Sequence, residues 1–362
     1  MMSPEHRITE RLDSLVRTGC LPGIQYMAVT ADSVIVDYFG GVRDALGALP
    51  VNQKTTFLSS STSKVLTASA ILKLVDSGQV ALGDSLDQYF PDHPYGSDVT
   101  IQSLLNQSSG IPNPLPLRWL HTDSEHATYD EAAALKRILL KHPKRNFEPG
   151  QKYAYSNLSY WLLGKVIERI SLQPYCRFMR DHVFLPLGIS SDELSCAIPS
   201  IDNFARGHMC RVSMMRVLLG LMTESKIWDE PVGKWSRFSV LYMNGPAYGG
   251  LFASASGYAS FLQDMLKPKS LLFSERVRDL FFSAQNDRSA QPLPTTLGWH
   301  RGTLKEHLFY SKPGGGPGYS SNVRIYRKSG VATVFLSNKT EISEGPIQAF
   351  SDALDSEVLS GD

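Results

Sequence analysis

Apolar positions along this chain keep two rhythms. Ile24 to Thr30 and Ser33 to Phe39 are short runs of β-branched and aromatic residues that meet at Ala31 and Asp32, a spacing that predicts a two-stranded hairpin. The stretch NVRIYRKSGVATVFLSNKT, near the other end, repeats the pattern. It predicts strands on either side of Lys328-Ser329-Gly330, followed by a helix from about Pro346 to Leu359. Between the ends the rhythm turns helical, and SYWLLGKVIERI and ASGYASFLQDML place apolar residues at three- and four-residue intervals. In SSSTSKVLTASAILKLVDSG, residues 59–78, the buried face of a helix is marked by Val65, Leu66, Ala68, Ile71, Leu72 and Val75. That helix starts near Ser61 and is stopped by Gly78.

Strands at both ends with helices between them predict an α/β fold, because terminal strands gain most by pairing in one sheet. The expected architecture is an antiparallel sheet from N- and C-terminal strands flanked by helices, with an inserted, mostly helical domain. Residues 1–85 plus 250–362 form the discontinuous α/β part and residues 86–249 the insert, with the cleft between them as the natural place for a site. The irregular stretches GIPNPLPLRW and QNDRSAQPLPTT read as connections or rims.

Composition removes several function classes. A chain of 362 residues with formal net charge +1 has no electrostatic bias toward nucleic acid, so none is expected as a partner. The start, MMSPEHRITE, is polar, and no apolar run reaches the roughly 20 residues that span a bilayer. No transmembrane segment and a cytoplasmic location are therefore expected. Cys20, Cys176, Cys196 and Cys210 lie far apart without a C-x-x-C pair and read as buried, reduced thiols. Nine histidines are scattered without ligand spacing, so neither a metal nor another cofactor is expected.

Candidate chemistry concentrates in three places. Ser61 and Lys64, three residues apart, share one face of the predicted helix, and the positive end of its dipole favours a developing alkoxide on Ser61. The plain alternative is an N-cap serine with a solvated lysine one turn later, and roughly one or two S-x-x-K patterns arise by chance in a chain this long. Tyr155-Ser156-Asn157 precedes an amphipathic helix. Its tyrosine can relay a proton and Asn157 can hold a lysine head, although a loop tyrosine with Asn157 capping the helix fits the sequence as well. Lys312-Pro313-Gly314 precedes a glycine run and a strand. Glycines there let backbone approach a ligand, or merely turn the chain into the strand, and the absence of a following Lys-Ser, Lys-Thr or helix argues against a phosphate loop.

Taken in order, Ser61-Thr62-Ser63-Lys64, Tyr155-Ser156-Asn157 and Lys312-Pro313-Gly314 resemble the three signatures of the serine β-lactamase and penicillin-binding protein superfamily. The layout is similar to the branch of class C β-lactamases and β-lactamase-like carboxylesterases. LVDSGQVALGDSL, TIQSLLNQSSGIP, FEPGQKYAYSN and YGGLFASASGYASFL carry the likeness over roughly residues 10 to 340. Tyr242-Met243-Asn244 and Lys328-Ser329-Gly330 are decoys, the first in a poor context and the second in a hairpin turn. Two departures stand out. Gln107-Ser108-Ser109-Gly110 replaces the usual His-Thr-Ser-Gly, and Pro313 removes a hydroxyl that β-lactamases of this type offer to the drug's carboxylate.

The resemblance implies the β-lactamase/transpeptidase-like fold and a set of roles. Ser61 is the nucleophile, Lys64 its base, and Tyr155 the proton relay. Asn157, Lys312 and Gly314 serve substrate binding and electrostatics, and the backbone N–H groups of Ser61 and Gly315 form the oxyanion hole. Ser59, Ser60 and Ser63 are left as capping and packing residues. The implied activity is that of a serine hydrolase working through an acyl-enzyme, with a small-molecule ester or amide as partner. A carboxylesterase for short- or medium-chain acyl esters comes first. A β-lactamase or D-amino-acid peptidase, an acyltransferase and a non-catalytic scaffold are the alternatives, the presence of Lys312 speaking for the second. The Met- and Leu-rich segment His208 to Trp228 reads first as a core helix and second as the lining of an acyl pocket.

Overall fold

The computed structural model describes residues 3–114, 119–341 and 343–360. Its helices include α1 (Pro4–Arg17), α2 (Ser63–Asp76), α3 (Glu131–Lys141), α4 (Asn157–Ser171), α5 (Met214–Met222), α6 (Ala255–Leu266) and α7 (Glu344–Leu359). The principal strands are β1 (Gly23–Val29), β2 (Val34–Asp44), β3 (Leu49–Pro50), β4 (His300–Leu304), β5 (His307–Gly316), β6 (Tyr319–Tyr326) and β7 (Val331–Ser337). These seven form one antiparallel sheet in the order β4-β5-β6-β7-β1-β2-β3, which joins both ends of the chain. The predicted hairpins and the terminal helix are present within a few residues.

Strand β1 is buried along its whole length. Its pleat explains why: Met27 and Val29 feed a core containing α2, α4 and α6, whereas Ile24, Tyr26 and Ala28 feed a second core under α1 and α7. A strand covered on both faces carries an unbroken apolar run. Helix α2 lies deep in the first core and is buried nearly all round from Ser63 to Leu72, not on a single face as the periodicity implied.

Between α2 and α6 the chain is helical but also carries short strands. Leu120–Thr122 pairs with Leu241–Met243, and His208–Cys210, Trp235–Phe238 and Trp228–Val232 form a three-stranded sheet. Helix α5 leaves that small sheet, and Leu219 is its one buried residue. The core-helix reading of His208 to Trp228 is thus corrected, since periodicity shows an apolar side without showing which way it faces. Part of GIPNPLPLRW, residues 115–118, lies outside the described residues.

The cysteine reading is also corrected. Cys176 and Cys196 are joined by a disulfide with Cα atoms 5.8 Å apart, and Cys20 and Cys210 are exposed. The bonded pair is 20 residues apart in sequence, and only the meeting of the helix Tyr175–Met179 with the strand Leu194–Ser195 makes them neighbours. A disulfide is uncommon in a reducing cytoplasm, so it weighs against the cytoplasmic expectation. Among the described residues, no helix is long and apolar enough to cross a membrane.

Candidate active site

Ser61 sits in a tight turn, Ser60–Thr62, immediately before α2. Ser60 adopts a left-handed backbone (φ 51°), a conformation costly for a residue with a Cβ and sustained by the turn's anchors. The Ser59 carbonyl accepts from Thr62 Oγ1 at 2.6 Å and from Ser321 Oγ of β6 at 2.7 Å. Strand β5 runs so close that a Cβ on Gly314 would lie 2.8 Å from the Ser59 carbonyl oxygen and 3.0 Å from the Ser61 nitrogen, which is why glycine occupies that position. Ser59, Ser60 and Ser63 pack, but no side-chain cap is made at Ser59 or at Thr62, so their expected capping role is not observed.

The structure brings together the residues singled out in the sequence. Lys64, on the first turn of α2, is fully buried and not solvated. Its Nζ donates to Asn157 Oδ1 at 2.7 Å and to the Tyr248 carbonyl, and it stands 3.1 Å from Ser61 Oγ. On its other side Ser61 Oγ lies 2.6 Å from the Tyr155 hydroxyl, which is also 3.2 Å from Asn157 Oδ1. Asn157 does not cap α4. Ser156 does so, accepting from the Ser159 N–H at 3.2 Å, and this leaves the amide of Asn157 free to face Lys64.

Burial, and then the nearby Lys312, holds Lys64 well below the usual lysine range. Neutral Lys64 has two N–H groups and one lone pair. Asn157 Oδ1 and the Tyr248 carbonyl can only accept, so they take the two N–H groups, and the remaining direction leads to the Ser61 hydroxyl. Burial pushes the Tyr155 phenol up, which keeps its proton on it near neutral pH, so it stands there as a proton donor and not as a free base.

Lys312 and Pro313 lie within β5, not ahead of it as the sequence suggested. Pairing with β4 ends at His300–Ser311, so from Lys312 onward β5 has only β6 beside it and can face a ligand. A proline is tolerated at such an edge because one N–H has no ladder partner to serve there. Lys312 is buried, is pulled down to about 8 by burial, and bonds His300 Nε2 at 3.0 Å. Its Nζ and that of Lys64 each stand 5.0 Å from the centroid of the Tyr155 ring, so two amines flank one phenol.

Ser61, Tyr155, Asn157 and Gly315 line one cavity of about 260 Å³. Leu120, Leu219, Met243 and Ile347 supply apolar walls, and Glu344 stands at its margin. Of the decoys, Met243 is only a wall of this cavity, and Lys328-Ser329-Gly330 forms the β6–β7 turn. Met214 and Met215 do not line it.

Sequence reasoning missed several contributors. His300, directly after Leu297-Gly298-Trp299, holds Lys312 and stands 3.8 Å from Glu344. Gln107, noted only as a departure, clamps the Tyr155 loop: Oε1 accepts from the Ser156 N–H at 2.6 Å and Nε2 donates to the Ser156 carbonyl at 3.2 Å. The Tyr248 carbonyl, as a backbone group, leaves no trace in sequence. A glutamine in a Ser-rich block was the one signal available, and it stands 49 residues ahead of Ser156, so only the fold makes them partners.

Comparison with known proteins follows this geometry. The family model described as Beta-lactamase matches residues 8–355. A penicillin-binding protein of Bacillus subtilis is 24% identical over 322 residues, 88% of this chain and 68% of that protein. Protein flp of Staphylococcus aureus (strain MW2) is 27% identical over 187 residues, 49% of this chain and 36% of its own length. In fold, the chain is similar to D-amino acid amidase from Ochrobactrum anthropi SV3, with TM-score 0.82 and 19% identity over 99% of this chain and 100% of that one.

Proposed function

The chain belongs to the Beta-lactamase family, whose fold is shared by serine hydrolases, and on that premise we propose that it is a carboxylesterase acting through a Ser61 acyl-enzyme on short- or medium-chain acyl esters. The observation that carries this reading is the arrangement at Lys64, where two acceptor-only carbonyl groups direct the third position of a buried amine to Ser61 Oγ, 3.1 Å away.

In the proposed sequence the Ser61 hydroxyl gives its proton to Lys64 as Oγ bonds the ester carbonyl carbon, and the carbonyl electron pair moves to oxygen. The backbone N–H groups of Ser61 and Gly315 receive that oxyanion. As the tetrahedral carbon collapses, the bond to the leaving alkoxide breaks, and the proton held by Lys64 reaches it by way of Tyr155. Water then repeats the steps on the acyl-enzyme and frees Ser61. Residues 1–85 and 250–362 supply Ser61, Lys64, Lys312 and Gly315, and residues 86–249 supply Tyr155 and Asn157. The apolar walls, and Pro313 in place of a hydroxyl residue, favour an acyl chain over a drug carboxylate.

A second reading, hydrolysis of an amino-acid amide, draws on Glu344 at the cavity margin, whose carboxylate suits an ammonium group, and on the likeness to D-amino acid amidase. Initial rates on p-nitrophenyl butyrate, D-phenylalanine amide and a chromogenic cephalosporin, with Ser61→Ala as control, separate the readings. Ser61-dependent ester turnover well above the other two supports the esterase. Preference for the amide or the lactam replaces it, and no Ser61-dependent turnover on any of them leaves transfer to an acceptor or a binding role.

A further inference from the structure

Helix α5 is built with its apolar side toward water. At 100° per residue, Val217, Leu221, Met214, Leu218, Met222 and Met215 fall on one arc of about 160°. Met214 and Leu221 are 89% and 82% exposed, and Val212, just ahead of the helix, is 96% exposed. The polar residue points inward: Arg216 Nε donates to Ser236 Oγ at 3.0 Å, and its guanidinium lies 3.7 Å over the Trp228 ring. A patch of this kind on a folded surface marks a contact.

We propose that α5 docks on an anionic lipid surface, seating its outward face at the boundary between headgroups and acyl chains. Charge selects this occupant. No acidic residue occurs from Phe204 through Thr223, where Arg211 is exposed. At the other end, the groove bordered by Leu221 and Met222 is lined by Arg137, Lys141 and His142 and, among the described residues, by no carboxylate. The nearby Glu125 and Glu224 share Lys226, a net −1 that the +2 of Arg137 and Lys141 outweighs. An apolar stripe with a basic rim is the pattern of helices that lie in an anionic interface.

A second copy fits less well. Nine residues of helix are about 14 Å long, and their face falls far short of the ~800 Å² per partner of a stable dimer. Two basic rims would also repel across a two-fold axis. Because Leu219 of the same helix walls the cavity beside Ser61, docking brings that cavity to the lipid boundary. The docking stands apart from the hydrolase reading, since binding can be measured without turnover.

The test is co-sedimentation of the full chain with phosphatidylcholine vesicles containing about one third phosphatidylglycerol, against pure phosphatidylcholine. Expected are binding to the anionic vesicles that weakens with salt, and a loss of at least about ten-fold in partitioning for Leu218→Asp/Leu221→Asp. Arg137→Gln/Lys141→Gln is expected to lose about five-fold per charge, on anionic vesicles only. Should the aspartate variant fail to fold, Leu218→Ser/Leu221→Ser serves in its place. Absence of wild-type binding overturns the proposal, as does binding indifferent to the leucine substitutions. A wild-type dimer in light scattering that those substitutions dissociate assigns the face to a second copy instead.

Discussion

Helices α2 and α5 approach the same cavity and are both rich in apolar residues, yet α2 is buried nearly all round and α5 turns most of its apolar residues to water. The deeply buried helix carries the polar chemistry, with Lys64 inside the core, whereas the exposed one carries the hydrophobic surface. Burial falls on the group whose protonation the proposed mechanism needs altered, because removing water is what disfavours the charged amine. At α5 the apolar side is left for something outside the chain.

The largest effect expected from breaking this contrast is at the start of α2. Ser61→Ala or Lys64→Met should lower kcat/KM on the preferred substrate by at least about 10⁴-fold, with the thermal transition little changed for Ser61→Ala. The pH profile sharpens the same point. With Lys64 required in its neutral form, activity rises with pH as that proton is lost. Since the positive charge of Lys312 helps to hold Lys64 below its usual range, Lys312→Met should move the acidic limb of kcat/KM to higher pH. Stability follows the same linkage. Between about 8 and about 10.4 the unfolded chain holds more protons at Lys312 than the folded one, so unfolding free energy rises with pH there, and Lys312→Met should flatten that rise in denaturant melts.

Packing contrasts come next. Leu72→Ala, in the buried part of α2, should cost about 2–5 kcal/mol in urea unfolding. Gln107→Leu leaves the Ser156 backbone without its side-chain partners, and about 1–3 kcal/mol together with a lower kcat is expected. Leu221→Ala in α5 should change stability by less than about 0.5 kcal/mol. A Leu221→Ala cost comparable to that of Leu72→Ala would break the contrast, since it would mean that α5 is packed after all.

How much of this could be read in advance differs by residue. The hairpin at Ala31-Asp32 and the strands around Gly330 were legible because strands buried on both faces are written as short runs of β-branched and aromatic residues bounded by turn residues. Ser61, Lys64, Tyr155, Asn157 and Lys312 were legible by resemblance, and the structure brings Ser61, Tyr155 and Asn157 to one cavity, with Lys64 bonded to Ser61 and Asn157 and Lys312 beside the Tyr155 ring. His300 and the Tyr248 carbonyl were not, because a single imidazole and a backbone oxygen carry no spacing signal. The Cys176–Cys196 bond and the outward turn of α5 depend on long-range packing, which local pattern does not encode. Ser59 and Ser63 looked like caps because caps are the common use of serine at a helix start, but there the turn is held by Thr62 and Ser321.

The hydrogen bond from Ser337 Oγ to the Gly23 carbonyl spans 314 residues. Strand β1 therefore waits for its inner neighbour, β7, until about 300 further residues have been made. At about 5–20 residues per second of synthesis, the first hairpin and the apolar α2 behind it stand with one sheet edge open for roughly 15–60 s. During that interval Ser61 and Lys64 already exist as sequence, but β5 and β6, which close the turn around them, do not. The nascent chain thus carries an open, apolar strand edge for longer than most domains take to fold, a load that falls on chaperones, and the residues proposed to act with Ser61 are all present only once Gly315 has been made, 315−61 = 254 residues after Ser61.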